Sequence, residues 1–118
     1  MAITVKSYQK LIGPAADTYY DLWAAPTGPP AKAAIVKSIR IVNTDTQART
    51  VNLRLVPYSG GVPAARMLAP VNMSMAANAG ALYLDDKEIT LGSGDSIQAK
   101  ASAGNVIQCV LSGIERDV

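Results

Sequence analysis

The sequence predicts an all-β protein: a single-domain antiparallel β-sandwich, jelly-roll-like, with an extended N-terminal arm. Three observations predict it. Short apolar runs with period-two alternation recur about every ten residues. Clusters of Gly, Pro, Asn and Asp separate them, and these residues reverse a chain. The one stretch with helical spacing, Met67, Val71 and Met75 at intervals of four, is interrupted by Pro70. A chain of 118 residues makes one domain and can bury a core without metals or disulfides. The division expected is an N-terminal arm or edge strand over 1–15 and the sandwich over 16–118.

The elements follow in order. "ITVKSYQKLIG" alternates Ile3, Val5 and Ser7 against Thr4, Lys6 and Tyr8, and Gly13-Pro14 ends it. "TYYDLWAAP" reads as a strand with Tyr20 and Leu22 on one face and Tyr19, Asp21 and Trp23 on the other. Pro26 to Pro30 form a rigid exposed connection. In "AKAAIVKSIRIVN", Ile35, Ile39 and Ile41 share a parity; Lys37 falls on that same face, so it is expected near the sheet end with its amine in solvent. "NTDTQA" favours a turn through local side-chain bonds, and "RTVNLRLVP" alternates Val51, Leu53 and Leu55 inward until Pro57 stops it. The stretch from Ala34 to Gly61 thus reads as a central hairpin.

"YSGGVPAARM" reads as a loop, and Val71, Met73 and Met75 as one side of a strand. "ALYLDD" and "KEITLGSGD" read as two short strands. "DSIQAKASAGNVIQCVLSGIERD" closes the chain as a hairpin, Ile97, Ala99 and Ala101 answered by Ile107, Cys109 and Leu111 across a turn at Ala103-Gly104-Asn105.

Composition argues against chemistry. The net charge is +2 and the basic residues are dispersed, so no nucleic-acid partner is expected. There is no histidine, and Cys109 is the one cysteine, in an apolar run where it behaves as a small hydrophobe. A thiol nucleophile would lack its usual base. No metal site, cofactor or small-molecule substrate is expected: Asp85, Asp86 and Glu88 form the sole acidic cluster and read as a solvated turn, and nothing around Asp95 and Glu115 suggests burial or coupling. "GSGD" lacks the Lys and the helix of a phosphate cradle and reads as a hairpin turn. No run reaches the roughly 20 apolar residues of a membrane helix, and "MAITVKSYQKLIG" lacks the pattern of a signal peptide. With no Phe and six aromatics in all, the core must be aliphatic, which favours stabilisation by partner subunits. Trp23 is either core or an interface anchor. The methionines Met67, Met73 and Met75 are either a soft contact surface or core filler.

"LWAAPTGPPAKAAIVKSIRIVNTDTQARTVNLRLVP" together with "LYLDDKEITLGSGDSIQAKASAGNVIQCVLSGIE", Leu22 to Glu115, resembles a pattern met in small structural proteins of tailed bacteriophages. The role within that class that it looks like is a capsid decoration (cement) protein. The resemblance implies a structural protein, not an enzyme. It would bind the outer surface of the phage head, tie major capsid proteins together, and associate as a homo-oligomer, a trimer by preference. A head-fibre, tail or baseplate component is the alternative, and a carbohydrate- or receptor-binding module a more distant one. Exposure logic selects the contact residues: Ile3, Val5 and Tyr8 on the arm, which could add a strand to a neighbour's edge; Trp23, Pro29 and Pro30 around the proline connection; and Tyr58, Arg66 and Met67 in the following loop, with Arg66 offered to a capsid carboxylate.

Overall fold

The computed structural model describes residues 3–78 and 81–118, with residues 81–88 described through their backbone alone. Nine strands run in chain order: β1 (Ile3–Leu11), β2 (Tyr20–Ala24), β3 (Lys32–Asn43), β4 (Arg49–Val56), β5 (Arg66–Met67), β6 (Met73–Met75), β7 (Ala81–Leu91), β8 (Ser96–Ala101) and β9 (Ile107–Asp117). They form two antiparallel sheets. One has the order β1-β9-β3-β7; the other has the order β2-β8-β4-β5, with β6 also paired to β4. The protein is a β-sandwich, and this strand order is that of a jelly roll.

The core lies between the sheets and is aliphatic apart from Trp23, its largest fully buried side chain. The same core holds Leu22, Val36, Ile39, Ile41, Leu53, Leu91, Ile97, Ile107 and Leu111, each no more than 1% exposed. Burial of side chains of this size stabilises by about 1.5–3 kcal/mol apiece before chain entropy is charged against it.

Several sequence expectations need correction. The Ala34–Gly61 stretch is not a hairpin, because β3 and β4 belong to different sheets. The same holds for β8 and β9, and the "GSGD" turn likewise leads from β7 in one sheet to β8 in the other. Turn chemistry is present, but it carries the chain across the sandwich. After β3 the buried Asn43 holds such an arch: its amide donates to the carbonyls of Gln47, Met75 and Ala76 (3.0–3.2 Å), and its Oδ1 accepts from Asp45 N at 3.0 Å. Asp45 then accepts from Thr46 N at 2.7 Å and from Arg49 Nε at 2.7 Å. The Arg49 guanidinium holds the Asp45 carboxyl below the usual carboxylate value.

Lys37 is not at the sheet end. It occupies a bulge between Val36 and Ser38, in register with neither neighbouring strand. The extra residue switches the inward parity of β3 from Ala34 and Val36 to Ile39, Ile41 and Asn43. Ile35 therefore faces outward, away from the isoleucines it was grouped with. Gly113 of β9 sits opposite, where a Cβ would collide with the Ile35 carbonyl oxygen. A second bulge, between Asp21 and Trp23, turns both Leu22 and Trp23 into the core. "ALYLDD" and "KEITLGSGD" contribute one continuous strand, β7; the side chains of Asp85, Asp86 and Glu88 lie outside the described residues. Of the two forms expected for the N-terminal segment, arm or edge strand, it takes the edge strand. Its nine residues pair without interruption with β9, from Ile3↔Arg116 to Leu11↔Gln108, at the edge of the sheet.

Candidate functional site

The two outer faces of the sandwich differ in dress. On the five-stranded side the outward residues form a satisfied polar ladder. Gln98 Nε2 donates to Asp21 Oδ1 at 2.9 Å, while Arg54 Nε and Nη2 donate to Gln98 Oε1 at 3.0 and 2.7 Å. The Arg54 guanidinium also lies 3.5 Å over the Tyr19 ring, and the Lys100 amine lies 5.1 Å from the same ring. These contacts tie Asp21, Gln98, Arg54 and Tyr19 into one network within the chain, beside the exposed Met67 that pairs with Arg54.

The four-stranded side mixes exposed aliphatic side chains with polar ones. The registers place Val5, Ile114 and Ile35 side by side across β1, β9 and β3. The next row is Ser7, Ser112 and Ser38, with the Ser38 and Ser112 hydroxyls 2.6 Å apart. Beyond it lie Gln9–Val110–Arg40 and then Leu11–Gln108–Val42. Ile3 is 65% exposed, Val5 82%, Leu11 49% and Val110 40%. The outer face thus offers one apolar row, Val5 with the half-buried Ile114 and Ile35, beside Ile3, and the serine row separates it from Val110 and Leu11. Ile3 and Val5, selected from sequence, belong to it. Leu11, Ile35, Val110 and Ile114 were missed; the switch of parity at the Lys37 bulge is the signal that would have placed Ile35 outward.

The inward side of β1 is fastened by a buried carboxylate. Inward parity along β9 runs Ile107, Cys109, Leu111, Gly113, Glu115, so the strand carries Glu115 into the core at 2% exposure. This corrects the expectation that nothing buries it, and continued alternation from Leu111 was the available signal. Glu115 Oε2 accepts from Trp23 Nε1 at 2.9 Å and from the Tyr8 hydroxyl at 3.2 Å, and Lys6 Nζ lies 3.9 Å from Oε1. The Tyr8 and Trp23 rings meet edge-on, 4.8 Å between centroids. Burial first, then the neighbouring Glu115 charge and its hydrogen bond, raises the Tyr8 hydroxyl above its ordinary pKa. Strands from both sheets thus converge on one acceptor. Trp23, at 1% exposure, has no surface to offer a partner: its indole N–H is spent inside the chain.

Pro29, Pro30 and Tyr58 lie toward one pole of the sandwich, where the connection after β2 meets two other loops. Ala25 N donates to Asp95 O at 2.9 Å, Ser93 Oγ to Pro26 O at 2.8 Å, and Tyr58 N to Asp95 Oδ1 at 2.8 Å. The Tyr58 ring lies against Gly94, where a Cβ would overlap it, and the side chain is 69% exposed. Arg66 and Met67 are exposed on β5, beside Leu55 and Arg54 of β4. The Arg66 guanidinium donates to the carbonyls of Ala64 and Ala65 at 3.0 and 3.1 Å. The structure therefore separates the selected residues into a sheet face (Ile3, Val5), an internal fastening (Tyr8, Trp23), a loop pole (Pro29, Pro30, Tyr58) and a second sheet edge (Arg66, Met67).

Among the described residues no three His, Cys, Asp or Glu side chains gather as a metal site. Burial pushes the Cys109 thiol up to about 12, which removes the thiolate a nucleophile needs. A depression of about 340 Å³ beside β1 and β9 is lined by Gln9, Lys10, Leu11, Gln108, Cys109 and Val110. No described helix is long and apolar enough to cross a membrane.

No family model matches the chain, and no curated protein sequence matches it. Among solved structures the chain is similar to one from infectious bursal disease virus, Gx strain, with a TM-score of 0.51 and 11% identity over 96% of this chain. A chain from the Gt strain of that virus gives a TM-score of 0.40 at 11% identity over 96% of this chain. The chain spans 32% and 31% of those two chains. At such identity the likeness to the Gx chain is one of fold.

Proposed function

We propose that this protein is a structural, non-enzymatic component of a virion, a capsid decoration protein that binds the outer surface of a phage head and ties neighbouring major capsid proteins together. The observation that carries the reading is the set of exposed apolar side chains, Ile3, Val5, Leu11 and Val110 on the four-stranded face and Tyr58 at the loop pole. The fold likeness to a chain of a virus structure supports it, as does the resemblance of Leu22–Glu115 to small phage structural proteins. Contacts of modest area become strong when many copies bind one shell, because each attachment raises the effective concentration for the next. The pole that carries Pro29, Pro30 and Tyr58 is the proposed contact with the shell.

Co-sedimentation of the protein with shells assembled from the major capsid protein alone tests this. The expected result is saturable binding at a fixed ratio per capsomer, a raised shell melting temperature, and about tenfold or greater weakening by Tyr58→Ala, the loss of one anchor of roughly 1.4 kcal/mol or more. No binding to shells, with the protein still present in complete virions, would move it to a fibre, tail or baseplate.

A further inference from the structure

The sandwich has unpaired edges at β1 and β7 in one sheet and at β2 and β5, with β6, in the other. Most carry a device that discourages a further strand. β2 has five residues and a bulge, β5 has two residues and β6 three. β7 is out of register with its neighbour between Val36 and Ser38. β1 is the most regular of them: nine residues in unbroken register, without proline or bulge, with Ile3, Val5 and Leu11 exposed. Its two lysines share the parity of Tyr8 and are engaged within the chain. Lys6 turns toward Glu115, and Lys10 Nζ donates to Asp21 O at 3.3 Å.

We propose that β1 pairs with β1 of a second copy of this chain, antiparallel about a two-fold axis at Ser7, joining two four-stranded sheets into one of eight strands. The register itself argues for a second copy. With the axis at Ser7 all nine residues pair: Ile3 faces Leu11 of the other copy, Val5 faces Gln9, Thr4 faces Lys10 and Lys6 faces Tyr8. Apolar ends meet apolar ends, and no lysine opposes a lysine. Moving the axis to Lys6 sets Lys6 against its own copy, and moving it to Tyr8 sets Lys6 against Lys10; like charges directly opposite are unfavourable in a ladder. Axes at Val5 or Gln9 pair only five residues. Odd offsets place outward residues of one copy against inward residues of the other. The strand is thus complementary to itself in its longest register, which is the requirement of an isologous contact. This two-fold contact is distinct from the three-fold association that the sequence resemblance implies, and it forms whether or not the protein binds a shell.

The test uses the full chain alone. In the Ser7 register the two Ser7 Cα atoms lie about 4.5–5.5 Å apart, within reach of a disulfide, whose Cα atoms stand roughly 4.4–6.8 Å apart. The two Val5 Cα atoms, four positions out of step, lie roughly 14 Å apart, beyond that reach. Under mild oxidation Ser7→Cys is expected to convert to a disulfide-linked dimer while Val5→Cys, on the same exposed face, stays a single chain. Cys109 is buried and contributes no background. Light scattering of the unaltered protein is expected to give twice 12.3 kDa at micromolar concentration. A single-chain or three-chain mass without Ser7→Cys linkage, or equal linkage of Ser7→Cys and Val5→Cys, overturns the proposal. Shell binding is read separately, so either reading can fail while the other stands.

Discussion

Replacing Glu115 tests how β1 and β2 are fastened to β9. The carboxylate is 2% exposed and serves two ring donors, Trp23 Nε1 and the Tyr8 hydroxyl, with Lys6 as a distant counter-charge. Glu115→Gln keeps a carbonyl acceptor for the indole and gives up charge assistance, about 1 kcal/mol. Glu115→Leu keeps the volume but strands a buried indole N–H, a loss of about 2–3 kcal/mol, because an unsatisfied buried donor costs more than a made bond is worth. Glu115→Ala adds a cavity beside the aromatic pair, for about 3–5 kcal/mol in all. In a domain of this size these losses lower Tm by about 3–6 °C per kcal/mol. Urea unfolding followed by far-UV circular dichroism measures them, and the fluorescence of Trp23, the one tryptophan, reports on the same site. The decisive comparison is a double-mutant cycle with Trp23→Phe. Once the donor is gone, Glu115→Leu should cost about 1–2 kcal/mol less than in the original chain. Glu115→Leu as stable as the original, or a coupling near zero, would refute the claim that the carboxylate holds the sheets together through the indole.

Other outcomes follow from single features. Gly113→Ala places a methyl against the Ile35 carbonyl oxygen at the bulge, so the two strands must part; a loss of about 2 kcal/mol or more is expected in the same unfolding assay. The Tyr8 hydroxyl has its pKa raised above the ordinary 10.0. Its contribution to stability is therefore complete below that value and is lost as pH rises through the folded pKa. Alkaline titration of stability should fall more steeply for the original chain than for Tyr8→Phe. Cys109, with its thiol pushed up to about 12 and its side chain buried, should react with a disulfide reagent at pH 8 only after unfolding, so that the labelling rate tracks urea concentration. Fast labelling of the folded protein would contradict the burial.

Much of the architecture was legible in the sequence. Alternation along Val51 and Leu53, and again along Ile107, Cys109 and Leu111, placed those residues inside, where they are, while Leu55, expected inside with them, is half-buried. Turn chemistry located the chain reversals at Asn43–Gln47 and Ala103–Asn105. Pairing did not follow from it. A polar turn between two alternating strands reads the same whether the strands lie side by side or face each other across the core. Side-chain parity fails for a similar local reason: one inserted residue, Lys37 in β3 or Leu22 in β2, reverses every inward assignment beyond it. Both bulges announced themselves as a conflict, a lysine among isoleucines and adjacent Leu and Trp where only one could point inward.

The candidate site was half visible. Ile3 and Val5 were recognisable as apolar residues of an extended N-terminal strand, but Ile35, Val110 and Ile114 become their neighbours only through the β1-β9-β3 order, across separations of up to about a hundred residues in the chain. For Glu115, alternation continued from Leu111 pointed inward, but its role was hidden, because it depends on donors from Tyr8 and Trp23, far away along the chain. By itself, then, the sequence determined the strands, the turns and the aliphatic core, since each depends on neighbours two residues apart or on the backbone preference of a single residue. Sheet membership, the partners of the buried acceptor and the side chains gathered on the outer face were decided by tertiary structure alone, because each rests on which distant strand lies opposite.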